Sequence, residues 1–332
     1  MKNIFLTTVC LLILFSGFSK NDNLIDYPIY PKADNEKSPL ASFVKDKTSD
    51  EGYYSDKPWK LNGFELFIGG GIYMGSKKTA NYYNGAPENN INLGLIFNNK
   101  YYREEIFQVL RREYPYIDTM KLEHDYNQKS GYNITMDIAL GARYRFQNNW
   151  YIELSYSFRR LTSQNRFYFT FPGVPPGNKE NPNYSRWESL VAKEDRHYID
   201  FSVGYILHLH AIAKPFISIG ALFTYIDIKS FDVFIEGHKF NLMAMAKNPN
   251  YIPGIQTMPN YRVWSGVGYG FTVTAGLKIA VHPTVSLDPV FQLSVASFGN
   301  NKNLPSFYTN LCFNYMAGVR IVLNDALFFK NK

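Results

Sequence analysis

The chain has 332 residues, of which 17% are aromatic, with a mean hydropathy of −0.26 and a formal net charge of +7. Its cysteines are Cys10, inside an N-terminal apolar run, and Cys312, so once that run is removed no intramolecular disulfide can form. No later stretch approaches the roughly 18 uninterrupted apolar residues of a membrane helix, which excludes a helical membrane protein.

Residues 1–19 read as an export signal. Lys2 supplies the positive start, Ile4 to Phe15 is apolar but too short to span a bilayer, and Gly17 and Ser19 are the small residues of a cleavage site. Cleavage after Ser19 removes Lys2 and leaves a charge of about +6. A solvated surface accounts for that excess, and so does attraction to anionic lipid phosphates. Residues 20–60 are polar, carry Pro28, Pro31, Pro39 and Pro58, and show no period, as expected of a largely disordered extension.

Strands follow. The first runs near Asn62–Ser76, with Phe64, Leu66, Ile68, Ile72 and Met74 on one face and Glu65, Gly69, Gly71 and Tyr73 on the other. After an insertion at 77–130, strand two (131–146) alternates Ile134, Met136, Ile138 and Leu140 with Thr135, Asp137, Ala139 and Gly141. Strand three (150–171) sets Trp150, Ile152, Leu154 and Tyr156 against Tyr151, Glu153, Ser155 and Ser157. A loop at 172–193 precedes strand four (about 194–209), and strand five covers roughly 215–236. An irregular loop at 237–262 leads to strand six (263–281), strand seven (285–299), a loop at 300–306 and strand eight (307–323). Period-two alternation means one apolar and one polar face. Full charges along the polar face do not suit a sheet hiding its apolar side in a soluble core. They suit an all-β fold: an eight-stranded antiparallel up-and-down transmembrane β-barrel, with lipid outside and a polar lumen inside. Its connections alternate long and short, so 77–130, 172–193, 237–262 and 300–306 become extracellular and both termini periplasmic. The barrel domain is residues 61–323, followed by a tail at 324–332.

Turn length fixes register. The loop 147–149 sets Phe146 opposite Trp150, Arg143 opposite Glu153 and Asp137 opposite Arg159. The loop 282–284 sets Val281 opposite Val285, Lys278 opposite Asp288 and Thr274 opposite Gln292. Closure is expected to pair Glu65 with Arg320. These charges suit either a conduction path or a packed polar plug. An eight-stranded barrel is just wide enough for side chains to fill, and buried charges need partners, which favours the plug.

Chemistry-bearing residues are sparse. His208 and His210 share a strand face near a short turn but lack a nearby third ligand, so no metal is expected. Asp195, His197 and Ser163 fall at the outer rim, where some barrels carry lipid-modifying catalysis; hydrogen-bond reach decides that, and no catalysis is expected. Neither a cofactor nor a nucleic-acid partner is called for. Gly69-Gly70-Gly71 lies within a strand, where it accommodates bending or close packing. In the first long loop, Tyr101–Tyr114 reads as an amphipathic helix, with Tyr102, Ile106, Val109, Leu110 and Glu113 along one side, stopped by Pro115. It either caps the barrel mouth or offers Tyr101, Tyr102, Ile106, Leu110 and Tyr114 to a protein partner.

With strands, turns and export signal placed, residues 62–323 resemble the small outer-membrane β-barrel family of OmpA-, OmpX-, OmpW- and PorT-like proteins. Gly318-Val319-Arg320-Ile321-Val322-Leu323 is similar to that family's insertion signal, with aliphatic residues in place of the usual aromatics. The resemblance implies insertion by the barrel-assembly machinery, contact with outer-membrane lipid and lipopolysaccharide, and an outer-membrane location in a diderm bacterium. The Asn/Lys/Tyr-rich composition is similar to that of Bacteroidota-type barrels, whose PorT-like members assist secretion. Three functions are open at this stage. The leading one is a non-enzymatic barrel with a plugged lumen that binds a partner in envelope assembly, protein secretion or adhesion. The others are an OmpW-like path for small hydrophobic molecules and a lipid-modifying enzyme.

Overall fold

A computed structural model describes residues 63–115, 117, 121–122, 130–146, 148–172, 183–207, 213–247, 264–282, 284–297 and 311–324. The expected signal, extension and C-terminal tail lie outside the described residues, as do His208, His210 and the loop at 300–306.

Eight long strands form the wall: β1 (Gly63–Met74), β2 (Thr135–Arg145), β3 (Trp150–Pro172), β4 (Asn183–Ile206), β5 (Ala213–Ile235), β6 (Trp264–His282), β7 (Val285–Ala296) and β8 (Cys312–Asn324). Each pairs antiparallel with its neighbour in sequence, and β8 pairs with β1, so the sheet closes on itself. The fold is an eight-stranded up-and-down barrel. Closure leaves no open edge among these staves, the condition for strands to sit in lipid.

The outward face is apolar all round: Ile68, Ile138, Leu154, Phe201, Ile219, Phe271, Phe291 and Val319 all lie exposed at about mid-wall. A soluble monomer rarely exposes so large a continuous apolar surface. The inward face is polar and buried, with Glu65, Asp137, Glu153, Asp200, Lys278 and Arg320 among its residues. At the β1–β8 seam Gly71 faces Gly318. A Cβ on Gly71 would lie 2.5 Å from the Ala317 carbonyl oxygen and 2.8 Å from the Gly318 Cα, so these backbones approach as only glycine allows.

Three strands outgrow the barrel. The pairing of β3 with β4 continues to Pro172 opposite Asn183, so residues 183–193 of the loop expected at 172–193 are strand. The clean alternation that marks the membrane half fades there, which hid the extension. A bulge shifts register between Lys193 and Glu194, where Ser230 and Ile228 are the partners on β5. The extra residue, Lys229, reverses the parity of β5, so Phe231, Val233 and Ile235 face inward where Thr224, Ile226 and Ile228 did before it.

The loop expected to be irregular at 237–262 begins instead with regular structure. Glu236 (φ 48°) and Gly237 (φ 79°) form a two-residue reversal, and His238–Asn241 returns along β5. Positive φ at both central positions is the requirement of a tight hairpin turn, and Gly237 meets it without strain. A short helix, Leu242–Lys247, follows. The first long loop carries α1 (Lys77–Ala80), a 3₁₀ turn (Asn81–Asn84), α2 (Gly94–Phe97) and α3 (Lys100–Leu110). The Asn99 side chain caps α3, accepting from the Tyr101 and Tyr102 amides at 3.0 and 3.4 Å. The helix thus starts one residue earlier and ends four earlier than its period suggests.

Candidate functional site

The lumen at the short-turn end is a dense knot of charge. Arg143 faces Glu153 in register and donates to it from Nε at 3.0 Å and from Nη2 at 2.8 Å. Its Nη1 lies 3.5 Å from Glu65 and 3.3 Å from Asp288, so one guanidinium serves three carboxylates. It also lies over the ring of Tyr151 at 4.5 Å, and that ring fills the space left by Gly204 opposite. Higher up, Asp137 faces Arg159 and accepts from its Nε. The Arg159 guanidinium is held between the rings of Tyr73 and Tyr198 at 4.2 and 4.1 Å, and those two hydroxyls are 2.8 Å apart.

Two expected pairings are replaced. Lys278 stays level with Asp288, between the pairs Gly276–Val290 and Ile279–Leu287, but its ammonium lies 2.8 Å from both oxygens of Glu65, and Asp288 takes Arg143 and the Ser286 hydroxyl. Glu65 is not beside Arg320: on the seam Glu65 faces Asn324, and Arg320 faces Gly69 and donates to Glu153 at 2.8 Å. Val281 does not face Val285 either; a shift between Ala280 and His282 sets His282 opposite Val285. Thr274 does face Gln292. The physical reason is shared. In so narrow a bore the centre is as close as the adjacent strand, so charges meet across the lumen. The closing register of the first and last strands cannot be read from any turn.

Asp200 marks mid-lumen. It accepts from Gln292 Nε2 at 3.1 Å, and a void of about 10 Å³ lies between it, Asp137, Arg159 and Arg320. That is about the space of one water.

Above the apolar belt the inward face changes character. Along β3, Arg159 gives way to Leu161, Ser163, Asn165, Phe167, Phe169 and Phe171; along β4, Glu194 gives way to Ala192 and Leu190. The helices of the first loop fill the concavity: Phe97 packs on Phe167 and Phe169 at 6.2 and 5.8 Å, Tyr102 on Phe240 at 5.9 Å, and Tyr114 on Phe171 at 5.1 Å. Tyr102, Ile106 and Leu110 are therefore buried in the protein's own cap and are not a docking surface; of the candidate loop residues Tyr101 is exposed and Tyr114 is half-buried.

Cap and lumen are joined at Arg196, which sequence reasoning missed. Fully buried, it donates to Glu194 at 2.5 Å, to Thr79 Oγ1 at 3.1 Å, to the Tyr132 hydroxyl at 3.0 Å and to the Tyr73 hydroxyl at 3.4 Å. Its even number puts it on the face of Tyr198 and Asp200, and that parity was the available signal. At the tip, Arg186 donates to Glu113 at 2.8 Å and to the Tyr114 hydroxyl at 3.0 Å, and Glu188 accepts the Glu236 amide at 3.0 Å. Burial pushes the Glu188 carboxyl above its ordinary range, against the pull of that amide.

The rim residues with catalytic potential are not assembled. Ser163 faces inward, accepting from Asn165 at 3.1 Å. Asp195 and His197 stand on the outward face, bonded to Arg160 and to the Tyr156 hydroxyl respectively. The wall separates the hydroxyl from the imidazole. Among the described residues no group of three or more metal-ligating side chains is gathered.

No family model and no curated protein matches the chain. Solved structures similar to it are small outer-membrane β-barrels. Neisserial surface protein A aligns over 79% of this chain and 96% of its own, at 10% identity and a TM-score of 0.35. OprG of Pseudomonas aeruginosa gives the same coverage and identity with a TM-score of 0.34. The attachment invasion locus protein Ail of Yersinia pestis, in complex with sucrose octasulfate, covers 79% of this chain and 99% of its own at 12% identity and 0.29.

Proposed function

We propose that the protein is a non-enzymatic outer-membrane barrel whose lumen is a structural plug and whose working part is the folded cap. In this reading the cap engages a protein partner in envelope assembly, secretion or adhesion. One observation carries it. The inward face of β3 and β4 turns from charged to apolar just where the outer belt ends, and the first loop buries an aromatic core there. Strands that served only to cross a bilayer need about 9–11 residues, whereas β3 and β4 have 23 and 24. The surplus builds a module outside the membrane. A pore needs none of this, and matched charges meeting across the bore argue against conduction.

The test has two parts. In planar bilayers the purified protein gives no steady conductance steps; robust unitary steps overturn the plug. In cells, a photo-crosslinking residue at Tyr101 or at Trp187, both exposed on the cap, yields a discrete protein adduct that one at lipid-facing Ile219 does not. Equal labelling at all three sites overturns the cap as the working surface.

A further inference from the structure

The outer wall of β3–β5 is graded along its height. Rows of cross-strand neighbours run from Ile152–Val203–Ile219 to Phe158–His197–Tyr225, then abruptly to Arg160–Asp195–Asp227. The next row holds Lys193, and Lys229, the extra residue of the β5 bulge, lies exposed at the same level. Elsewhere the apolar belt stops without such a row, at Met74, Ile134, Val267 and Leu311 among the described residues.

The row is built, not scattered. The Asp195 side chain is only 6% exposed and lies flat beneath two cations. Arg160 holds it through Nε at 2.8 Å and Nη2 at 3.0 Å, and Lys229 Nζ is 4.0 Å away while also bonding Asp227. Arg160 and Lys229 remain 64% and 49% exposed, so the acid orients them from below and their outer sides face the surroundings. Three cations over two carboxylates leave the row positive. Below it, His197 is fixed by the Tyr156 hydroxyl at 2.7 Å and lies among the rings of Phe158 and Tyr225, a ledge of the kind found at the edge of the acyl region.

We propose that Arg160, Lys193 and Lys229 form a seat for the phosphate of an outer-leaflet lipid headgroup, with the acyl chains running down the ledge at His197. The match is one of charge and depth: a phosphate ester sits at the boundary between acyl chains and water, which is where this row lies. Lys229 keeps the outward parity of Tyr225 and Asp227, and the bulge leaves it without a cross-strand partner, since in an unbulged β5 it would stand opposite Lys193. This inference rests on the membrane reading above.

Its test uses the full chain reconstituted in vesicles, then extracted in neutral detergent and weighed with retained lipid by native mass spectrometry. Phosphatidic acid and phosphatidylcholine of equal chain length are the competing probes. Wild type retains phosphatidic acid in preference, and R160Q, K193Q and K229Q each reduce that preference roughly fivefold, with K239Q, a cap lysine off the row, leaving it unchanged. A triple variant that folds, inserts and keeps the wild-type preference overturns the seat. So does a K239Q loss as large as that of K229Q, which would mean diffuse charge. Failure of wild type to insert at all, seen as the absence of a heat-modifiable band, overturns the membrane reading and the seat together.

Discussion

The Tyr83 hydroxyl donates to Glu194 Oε2 at 2.5 Å, and through that bond the first loop is pinned to the barrel wall. The other oxygen of the same carboxylate takes Arg196, so a single acid clamps cap and lumen together.

That clamp predicts a graded pair of defects. Y83F leaves one Glu194 oxygen short of a donor and costs about 1–3 kcal/mol, confined to the cap. R196M takes the paired cation from a buried carboxylate and costs about 3–5 kcal/mol. Hydrogen exchange of the α1–α3 amides measures both; equal protection in Y83F and wild type would contradict the clamp.

Within the lumen, Arg143 should outweigh Arg320. The first touches Glu65, Glu153 and Asp288, whereas the second donates to Glu153. R143M is expected to lower unfolding stability in vesicles by at least about 3 kcal/mol, and R320M by less. Urea titration followed by tryptophan emission reads the order directly.

The glycine triplet offers a contrast at adjacent positions. A methyl group on Gly71 meets backbone at 2.5 and 2.8 Å, whereas on outward Gly70 its nearest neighbour is 3.8 Å away. G71A should cost about 1–3 kcal/mol and slow insertion, and G70A should be close to neutral. Folding yield into vesicles distinguishes them.

Glu188 makes the cap sensitive to pH. Its folded carboxyl is held above the ordinary range chiefly by burial, with Glu236 adding to the rise and Arg186 opposing it. Protonation therefore favours the folded cap: the stabilisation is complete below the ordinary carboxylate range and is lost as pH rises through the elevated value. E188Q should raise cap stability near neutral pH and flatten this slope. The adjacent Trp187 provides the fluorescence signal.

The sequence showed the wall clearly because alternation and turn length are local. Arg143 opposite Glu153 follows from a three-residue loop, and the structure has that register. Lys278 and Glu65 were beyond reach for a different reason. Their partnership spans a lumen whose stagger depends on all eight strands at once, whereas the turn beside His282 sets only the register of Lys278 against its own neighbour strand. The cap was half legible. Helix α3 announced itself through its period and the stop at Pro115, but its apolar stripe has the same spacing whether it meets a stranger or Phe240. The Glu236-Gly237 reversal was a readable signal left unread. The long β3–β4 pairing was concealed by Arg186, Glu188 and Lys193, which interrupt an otherwise apolar alternation.

Because β3, β4 and β5 alone among the eight wall strands rise past the belt in the described residues, the cylinder has a tall flank and a low one. A neighbour drifting in the membrane plane toward β1 or β8 meets lipid-facing side chains and no raised strand among the described residues. One approaching β4 meets a parapet. The protein therefore has a compass bearing within the bilayer, and any complex it joins inherits a fixed rotational orientation from that lopsided rim.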